Sequence, residues 1–394
     1  MTRYSIKSLL LFLGLLAALY ACVDAYDPEL SANTDLIVVE GIVTDLPGIQ
    51  TISLSRSRSS RDSITSLPIQ RAAVTVTVNG TSSLRLTEVQ PGLYQFPAGF
   101  RGQTGSTYQL YFRTETGVAY ESSVETMASV PPVLRAYDEF NEQGIQTTAD
   151  SPPVPTNDVY IDFQDPPNQT NFYLWRWRLY ESQLWCATCE QGRYTLVDLG
   201  PVGSGPVNVL GCVRDTTLSV FNLFDYPCRG LCWDIFYSTG VNTFADIYAN
   251  GRLQMGRKVA SIPIYQRDQA LLVIEQLSLS PNAYRYYKLF ADQTQNTGTL
   301  ADTPPAPTVG NVRNLTNASE NVVGYFSAAS VAALPYKINR KNVTTGSFRG
   351  LFYAVNRRPP NVESSRGGGS VGAGVPSAFC IPSRTRTDLV PPGW

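Results

Sequence analysis

Val74 to Val78 reads Val-Thr-Val-Thr-Val, and Asn79-Gly80 follows at once. Alternation with period two puts the valines on one face of an extended strand and the threonines on the other, whereas a helix would spread them around its circumference. Asn-Gly readily takes up two consecutive left-handed conformations, which is what the tightest hairpin turn requires. The chain must therefore double back here, and "SLRLTEV" supplies the returning strand. The same grammar recurs nearby. "DLIVVEGIVT" and "QTISLSRS" are β-branched runs, Pro91-Gly92 turns into "LYQFP", and "STYQLYFRT" and "VAYESSVE" flank a second hairpin at Glu115-Thr116-Gly117. "RSRSSR", Arg56 to Arg61, reads as a solvated loop tip, with a basic binding patch as the alternative.

Short strands at this spacing predict a mainly β protein. Its first part, residues 33–130, is expected to be an Ig/fibronectin-like β-sandwich. Pro131-Pro132 marks a boundary, and "ADSPPVPTND" is a second proline-rich break. Residues 131–360 then read as a larger β-rich domain with about one helix and disulfide-stapled loops. "VYIDFQD" and "NFYLWRWRLYESQLW" read as paired strands, the latter with Tyr173, Trp175, Trp177 and Leu179 on one face. Such a stripe can stack on sugars, but filling a wide sheet interface is its commoner use. "RKVASIPIY", "ALLVIEQLSLS", "VVGYFSAASVA" and "PYKINRKNV" continue as strands. Ser280-Pro281 predicts a helix cap with proline at the first helical position, ahead of Tyr284, Tyr287, Lys288 and Ala291 at helical spacing. Residues 361–394 form a Gly-rich tail, whose glycines lack the Gly-Lys-Ser/Thr of a phosphate loop.

The amino-terminal region sets the compartment. Arg3 and Lys7 precede an apolar run from Leu9 to Leu19, about a dozen residues and too short to span a bilayer. This is the anatomy of a signal peptide, residues 1–21. Leu19-Tyr20-Ala21-Cys22 has the small residue before cysteine and the aliphatic residue three before it that mark a bacterial lipobox, so Cys22 is the expected lipidation site. An ordinary signal peptide with an unrelated cysteine is the competing reading. Residues 22–32 form an acidic tether with Asp24, Asp27 and Glu29 just outside the lipid.

Seven cysteines are present, and lipidation of Cys22 leaves Cys186, Cys189, Cys212, Cys228, Cys232 and Cys380. In an exported chain an even set predicts up to three disulfides, with 15 possible pairings. The rival is a four-cysteine zinc site from Cys186-x-x-Cys189 and Cys228-x-x-x-Cys232. The segment from Cys186 to Trp233 has weak periodicity and reads as long surface loops held by these bridges. Trp185 and Trp233 lie beside Cys186 and Cys232. They are candidates for a binding surface, or else pack beneath the loops.

Histidine is absent, which removes Ser-His and Cys-His nucleophile pairs, His-based zinc motifs and every histidine base. No lysine follows a serine by three residues. Outside the cysteine set no metal or cofactor motif is visible, and no cofactor is expected. The chain has 31 basic and 32 acidic residues without a long basic stripe, so nucleic acid is not expected as a partner.

Several blocks resemble a known family: "CVDAYDPEL" with "DLIVVEGIVTD", "YLWRWRLYES", "EQLSLSPNAYRYYKLFADQTQNTGTL" and "PTVGNVRNLTNASENVVGYFSAASV". Their order and spacing resemble the Bacteroidetes lipoproteins grouped as domain of unknown function 4249. Members often end in a cysteine-containing segment followed by an aromatic residue; Cys380 and Trp394 fit, while a second tail cysteine is missing. The resemblance implies an outer-membrane lipoprotein commonly encoded beside a TonB-dependent receptor, and implies no catalytic residues. The acidic tether resembles leaders that direct such proteins to the cell surface; a solvated tether on the periplasmic face is the alternative. Three functions are open: a binding or accessory module without chemistry of its own, a carboxylate-based glycoside hydrolase, and a structural or adhesive surface protein. The hydrolase would need two acids converging in a cleft.

Overall fold

The computed structural model describes residues 36–60, 63–146, 151–196, 210–295, 308–346, 348–363 and 376–394. The signal peptide, Cys22, the acidic tether and the glycine run of the tail lie outside them. The fold is mainly β, as the alternation predicts, with two helices among the described residues, α1 (Pro281–Gln295) and α2 (Leu351–Asn356). No helix among these residues is long and apolar enough to cross a membrane.

Two six-stranded sheets form the first layer pair. The strands Ala73–Val78 and Ser82–Arg85 pair antiparallel around Asn79 (φ 51°) and Gly80 (φ 68°), as the Asn-Gly signal requires. The hairpin at Glu115-Thr116-Gly117 also forms, joining Thr107–Arg113 to Ala119–Ser122. Arg56 and Arg58 sit within the strand Thr51–Ser60, which pairs with Ser63–Pro68. Ile37, Val39, Leu54, Val74, Val76, Leu110 and Phe112 are buried in one core between the two sheets.

This layer pair does not end at residue 130. Val322–Ala329 adds to the strand Leu36–Thr44 in parallel, and Val312–Asn314 adds to Ala119–Ser122. A domain drawn as residues 33–130 therefore lacks two of its own strands, and the stretch 131–360 supplies them. The parallel pairing depends on Gly324, whose φ is +84° and where an added Cβ would lie 2.1 Å from the Val39 carbonyl oxygen. At Ser330 the chain crosses to the second layer pair, and Asp45 holds the crossing by accepting the Val331 N–H at 2.9 Å.

The second layer pair stacks a three-stranded sheet on a six-stranded one. Val154–Gln164 does not pair with Phe172–Ser182, contrary to the sequence expectation. The first pairs with Val133–Ile145 and Leu253–Pro263, the second with Ala270–Ser278, Trp233–Tyr237 and Asn242–Ala245. The two strands face each other across a core containing Phe163, Tyr173, Trp175, Leu179, Ile262 and Ile274. The aromatic stripe is core there, and Arg176 and Arg178 on the opposite face pair with Glu275 at 2.5 and 2.8 Å.

Helix α1 begins as predicted: the Ser280 hydroxyl accepts the Ala283 N–H at 3.1 Å, and Pro281 opens the helix. Its inner face, with Ala283 and Tyr284, packs on Leu174, Leu277 and Tyr325. Ser280 also donates to the buried Glu125 at 2.6 Å, and Tyr325 donates to the same carboxylate at 2.9 Å, which ties the helix start to the first layer pair.

The cysteine segment is not a set of long loops. It holds the short strands Trp185–Glu190, Gly192–Leu196, Leu210–Arg214 and Leu223–Pro227, in two two-stranded sheets. Nor is the whole stretch 361–394 a free tail: Arg386–Thr387 pairs with Trp233–Tyr237, and Trp394 packs on Trp233.

Candidate functional site

The six cysteines form Cys186–Cys228, Cys189–Cys212 and Cys232–Cys380. These pairings consume the ligands of the alternative zinc site. The absent second tail cysteine is accounted for: Cys380 pairs with Cys232, 148 residues earlier. Beside the bridges lies a small core of Tyr194, Tyr226 and Ala378. Polar bonds fasten its edge, with Tyr226 donating to Glu363 at 2.6 Å and Arg358 to Asp225 at 2.9 Å.

The two tryptophans singled out beside the cysteines serve this packing. Trp233 is 2% exposed and meets Trp394 edge-on, with centroids 5.4 Å apart, so it offers no anchor to a partner. Trp185 is half-buried against Phe352 of α2. The exposed apolar side chains in this region include instead Leu184, Val220, Phe221, Leu231 and Ile381.

A cleft of about 670 Å³ opens elsewhere, on the second layer pair. Its walls are the turn 238–243, the strand Leu253–Pro263 and the outer turns of α1. Trp175 and Trp177 form part of its lining, Trp177 being the half-buried end of the aromatic stripe. Arg257, Lys258 and Lys288 bring three positive charges to it. Two of them are matched: Lys258 pairs with Asp158 at 2.7 Å and Lys288 with Asp292 at 2.8 Å. Burial alone would raise the Asp158 carboxyl; the bonds from Lys258, Asn141 and Thr156 outweigh it and hold it below the usual carboxylate range. The Lys288 ammonium is raised by its bond to Asp292.

Arg257 is built differently. Its guanidinium lies over two rings, 5.0 Å from the centroid of Trp175 and 5.3 Å from that of Phe244. It donates to the neutral oxygens of Asn242 Oδ1 at 2.9 Å and the Thr243 carbonyl at 3.2 Å. Among the described residues it has no carboxylate partner, and its buried Nε has no acceptor. Burial lowers its affinity for the proton, though a guanidinium stays charged. The aromatic floor is itself fixed, since Trp175 is buried and donates through Nε1 to Gln276 at 2.9 Å. A positioned, stacked, unneutralised guanidinium in an open cleft can donate to a carboxylate or another oxyanion through Nη1, since both Nη2 hydrogens are taken and Nε is buried. The sequence reading placed Arg257 in a strand and did not single it out. The signal available was a basic pair, Arg257-Lys258, at the start of an otherwise apolar strand.

Fold and cleft together define a disulfide-stapled, mainly β protein without histidine, whose cleft presents a guanidinium with no carboxylate partner among the described residues. The family model described as Domain of unknown function (DUF4249) matches residues 23–334, and the chain belongs to that family. No curated protein and no solved structure matches it.

Proposed function

We propose that this chain is a lipid-anchored outer-membrane protein, facing the cell surface, that binds a nutrient bearing an anionic group and works beside a TonB-dependent transporter. It performs no chemistry of its own. The observation that carries the binding role is Arg257: a guanidinium held on Trp175 and Phe244 by neutral acceptors, with no carboxylate beside it, in a cleft wide enough for a small molecule. Trp177, at the edge of the same cleft, offers a flat surface for a sugar or other ring. The hydrolase alternative draws no support from the two acids in mutual contact, Asp165 and Asp246, because both are fully buried and a glycoside has no path to them.

The anchor rests on the lipobox. Cys22→Ala should leave the protein soluble or unprocessed, measured by fractionating cells and probing membranes; membrane retention of a processed Cys22→Ala chain would refute the anchor. For the cleft, the lipidated protein is purified from outer membranes, co-purifying receptor is identified, and a panel of small carboxylates and acidic sugars is titrated by calorimetry. Losing a charged hydrogen-bond pair costs about 1.5–3 kcal/mol, which is about 10- to 100-fold in affinity. Arg257→Gln should weaken the best acidic ligand by that factor while leaving the circular dichroism spectrum unchanged. Equal affinity in the variant would remove the cleft from the proposal.

A further inference from the structure

Asp165 and Asp246 follow the strands Val154–Gln164 and Asn242–Ala245, at the starts of two loops. Both are 0% exposed. Their carboxyls lie against one another, and burial, joined by the Asp246 charge, raises the Asp165 carboxyl. Among the described residues neither forms an ion pair. Two buried, adjacent carboxylates without a cation are a costly arrangement, since neither water nor an opposite charge compensates them.

Few donors reach them. Asp165 accepts from the Tyr173 hydroxyl at 2.6 Å and from the Gly251 N–H at 3.0 Å, which orients it. Asp246 is not satisfied in this way. Apart from the Asp165 carboxyl beside it, its buried Oδ1 has no hydrogen-bond partner, and its Oδ2 accepts only from the Asn171 amide, at a long 3.4 Å. That amide nitrogen also lies 3.5 Å from the Pro166 carbonyl and 3.3 Å from the Gln169 carbonyl. Three oxygens thus converge on a group with two protons, all at long range. Turning the Asn171 amide over about its last side-chain torsion would present its side-chain oxygen to this cluster.

We propose that Asp165, Asp246, Asn171 and the carbonyls of Pro166 and Gln169 form a binding site for one calcium ion. Calcium takes six to eight oxygens, mixes carboxylates with backbone and amide carbonyls, and accepts irregular loop geometry. The unsatisfied Asp246 Oδ1 is the ligand that points to it. Zinc prefers nitrogen and sulfur, and magnesium demands a near-octahedral shell with retained waters, which a sealed site does not provide. The ion would neutralise the pair and pin the two loops. The strands that leave these loops, Phe172–Ser182 and Leu253–Pro263, carry Trp175 and Arg257.

The test uses the full chain purified in EGTA. Its melting temperature is measured against CaCl₂ up to about 10 mM, because exported calcium modules often bind at about 10⁻⁴–10⁻³ M. A saturable rise of several degrees is expected, not reproduced by equal MgCl₂ and lost in Asp246→Asn. Should that variant fail to fold, the wild-type chain still decides the matter. Terbium in the same site should luminesce on excitation of Tyr173, whose hydroxyl bonds Asp165, and calcium should quench it by displacement. No calcium-dependent rise together with no displaceable terbium signal would overturn the site. So would an equal rise with magnesium, or a full calcium shift surviving in Asp246→Asn. A calcium-insensitive melting temperature that rises as pH falls from 7 to 5 would show instead that the two acids share a proton. None of these outcomes bears on the Arg257 cleft, whose titration is read separately.

Discussion

Arg340→Leu should destabilise the protein by about 3–5 kcal/mol, the usual cost of leaving one member of a buried ion pair alone. Arg340 and Glu181 are both fully buried and form a salt bridge. Arg340 also donates to the carbonyls of Gln266 at 2.8 Å and Asp268 at 2.9 Å, and Glu181 accepts from Gln266 at 3.1 Å. The pair sits where three strands end together, since Glu181 pairs with Ala270 and Ala270 with Ile338, two residues before Arg340. Without the guanidinium, burial raises the Glu181 carboxyl against the Gln266 amide alone. The folded state then binds a proton that the unfolded state has lost, so the variant's deficit should grow as pH rises and shrink as pH falls. Urea unfolding at pH 5.5 and pH 8 reads this sign. Glu181→Leu combined with Arg340→Leu should recover much of the loss, because an apolar pair leaves no buried charge. A single-variant cost below about 1 kcal/mol, or a double variant no better than the single one, would show that the pair is not what holds these strand ends.

Local order was legible because it is written in local chemistry. Asn79-Gly80, Pro91-Gly92 and Ser280-Pro281 each specify a backbone conformation on their own, and each stands where expected. Partner choice was not, because a strand's periodicity says which face is buried and not what lies beside it. Val322–Ala329 reads as a strand from its residues, but its parallel contact with Leu36–Thr44 joins residues 285 apart, as Ile37 and Val322 are. The segment between Val154–Gln164 and Phe172–Ser182 invited a hairpin by its proline and asparagine content. The loop it forms encloses the buried Asp165 and sends the next strand into the facing sheet.

The candidate sites were hidden for a related reason. Asp165 and Asp246 are far apart in sequence, each in a turn-rich segment that by itself asks only for a turn. Arg257 shows its meaning only when Trp175 and Phe244, from two other strands, supply the floor. The cysteines were the reverse case: their number and compartment argued for disulfides, and only the pairing needed the fold. The position of Trp233 next to Cys232 left a surface anchor and packing beneath the loops equally open, and alternation along the strand turns it inward onto Trp394.

Removing the Cys232–Cys380 bridge, as Cys232→Ala with Cys380→Ala, should cost about 2–5 kcal/mol, and more than removing Cys189–Cys212 in the same way. A cross-link restricts the unfolded chain in proportion to the logarithm of the loop it closes. The first bridge spans 148 residues and the second 23, which in that entropy relation gives about 5 against about 3.5 kcal/mol; neither of the other bridges falls within the larger loop, whereas Cys189–Cys212 nests inside Cys186–Cys228. The native state should change less than the unfolded one. The segment around Cys380 is also held by Ala378 N–H to the Pro227 carbonyl at 2.8 Å, by Ile235 N–H to the Thr385 carbonyl at 2.7 Å, and by Arg386 to Asp234 at 2.6 Å. Trp394 adds its ring contact with Trp233. Limited proteolysis of the folded variant should therefore spare residues 376–394, while its urea midpoint falls with little change in the native spectrum. The neighbouring bridge sharpens the comparison, because the Cys186 sulfur lies within 4.8 Å of those of Cys232 and Cys380. A single Cys380→Ala leaves a Cys232 thiol beside the Cys186–Cys228 disulfide, where exchange can re-pair the sulfurs, so the double variant gives the cleaner reading. Rapid clipping of the tail in the folded double variant would mean that the covalent link, and not the surrounding hydrogen bonds and tryptophan contact, docks it. A larger loss for Cys189–Cys212 would mean that strain or residual structure outweighs loop length in this chain.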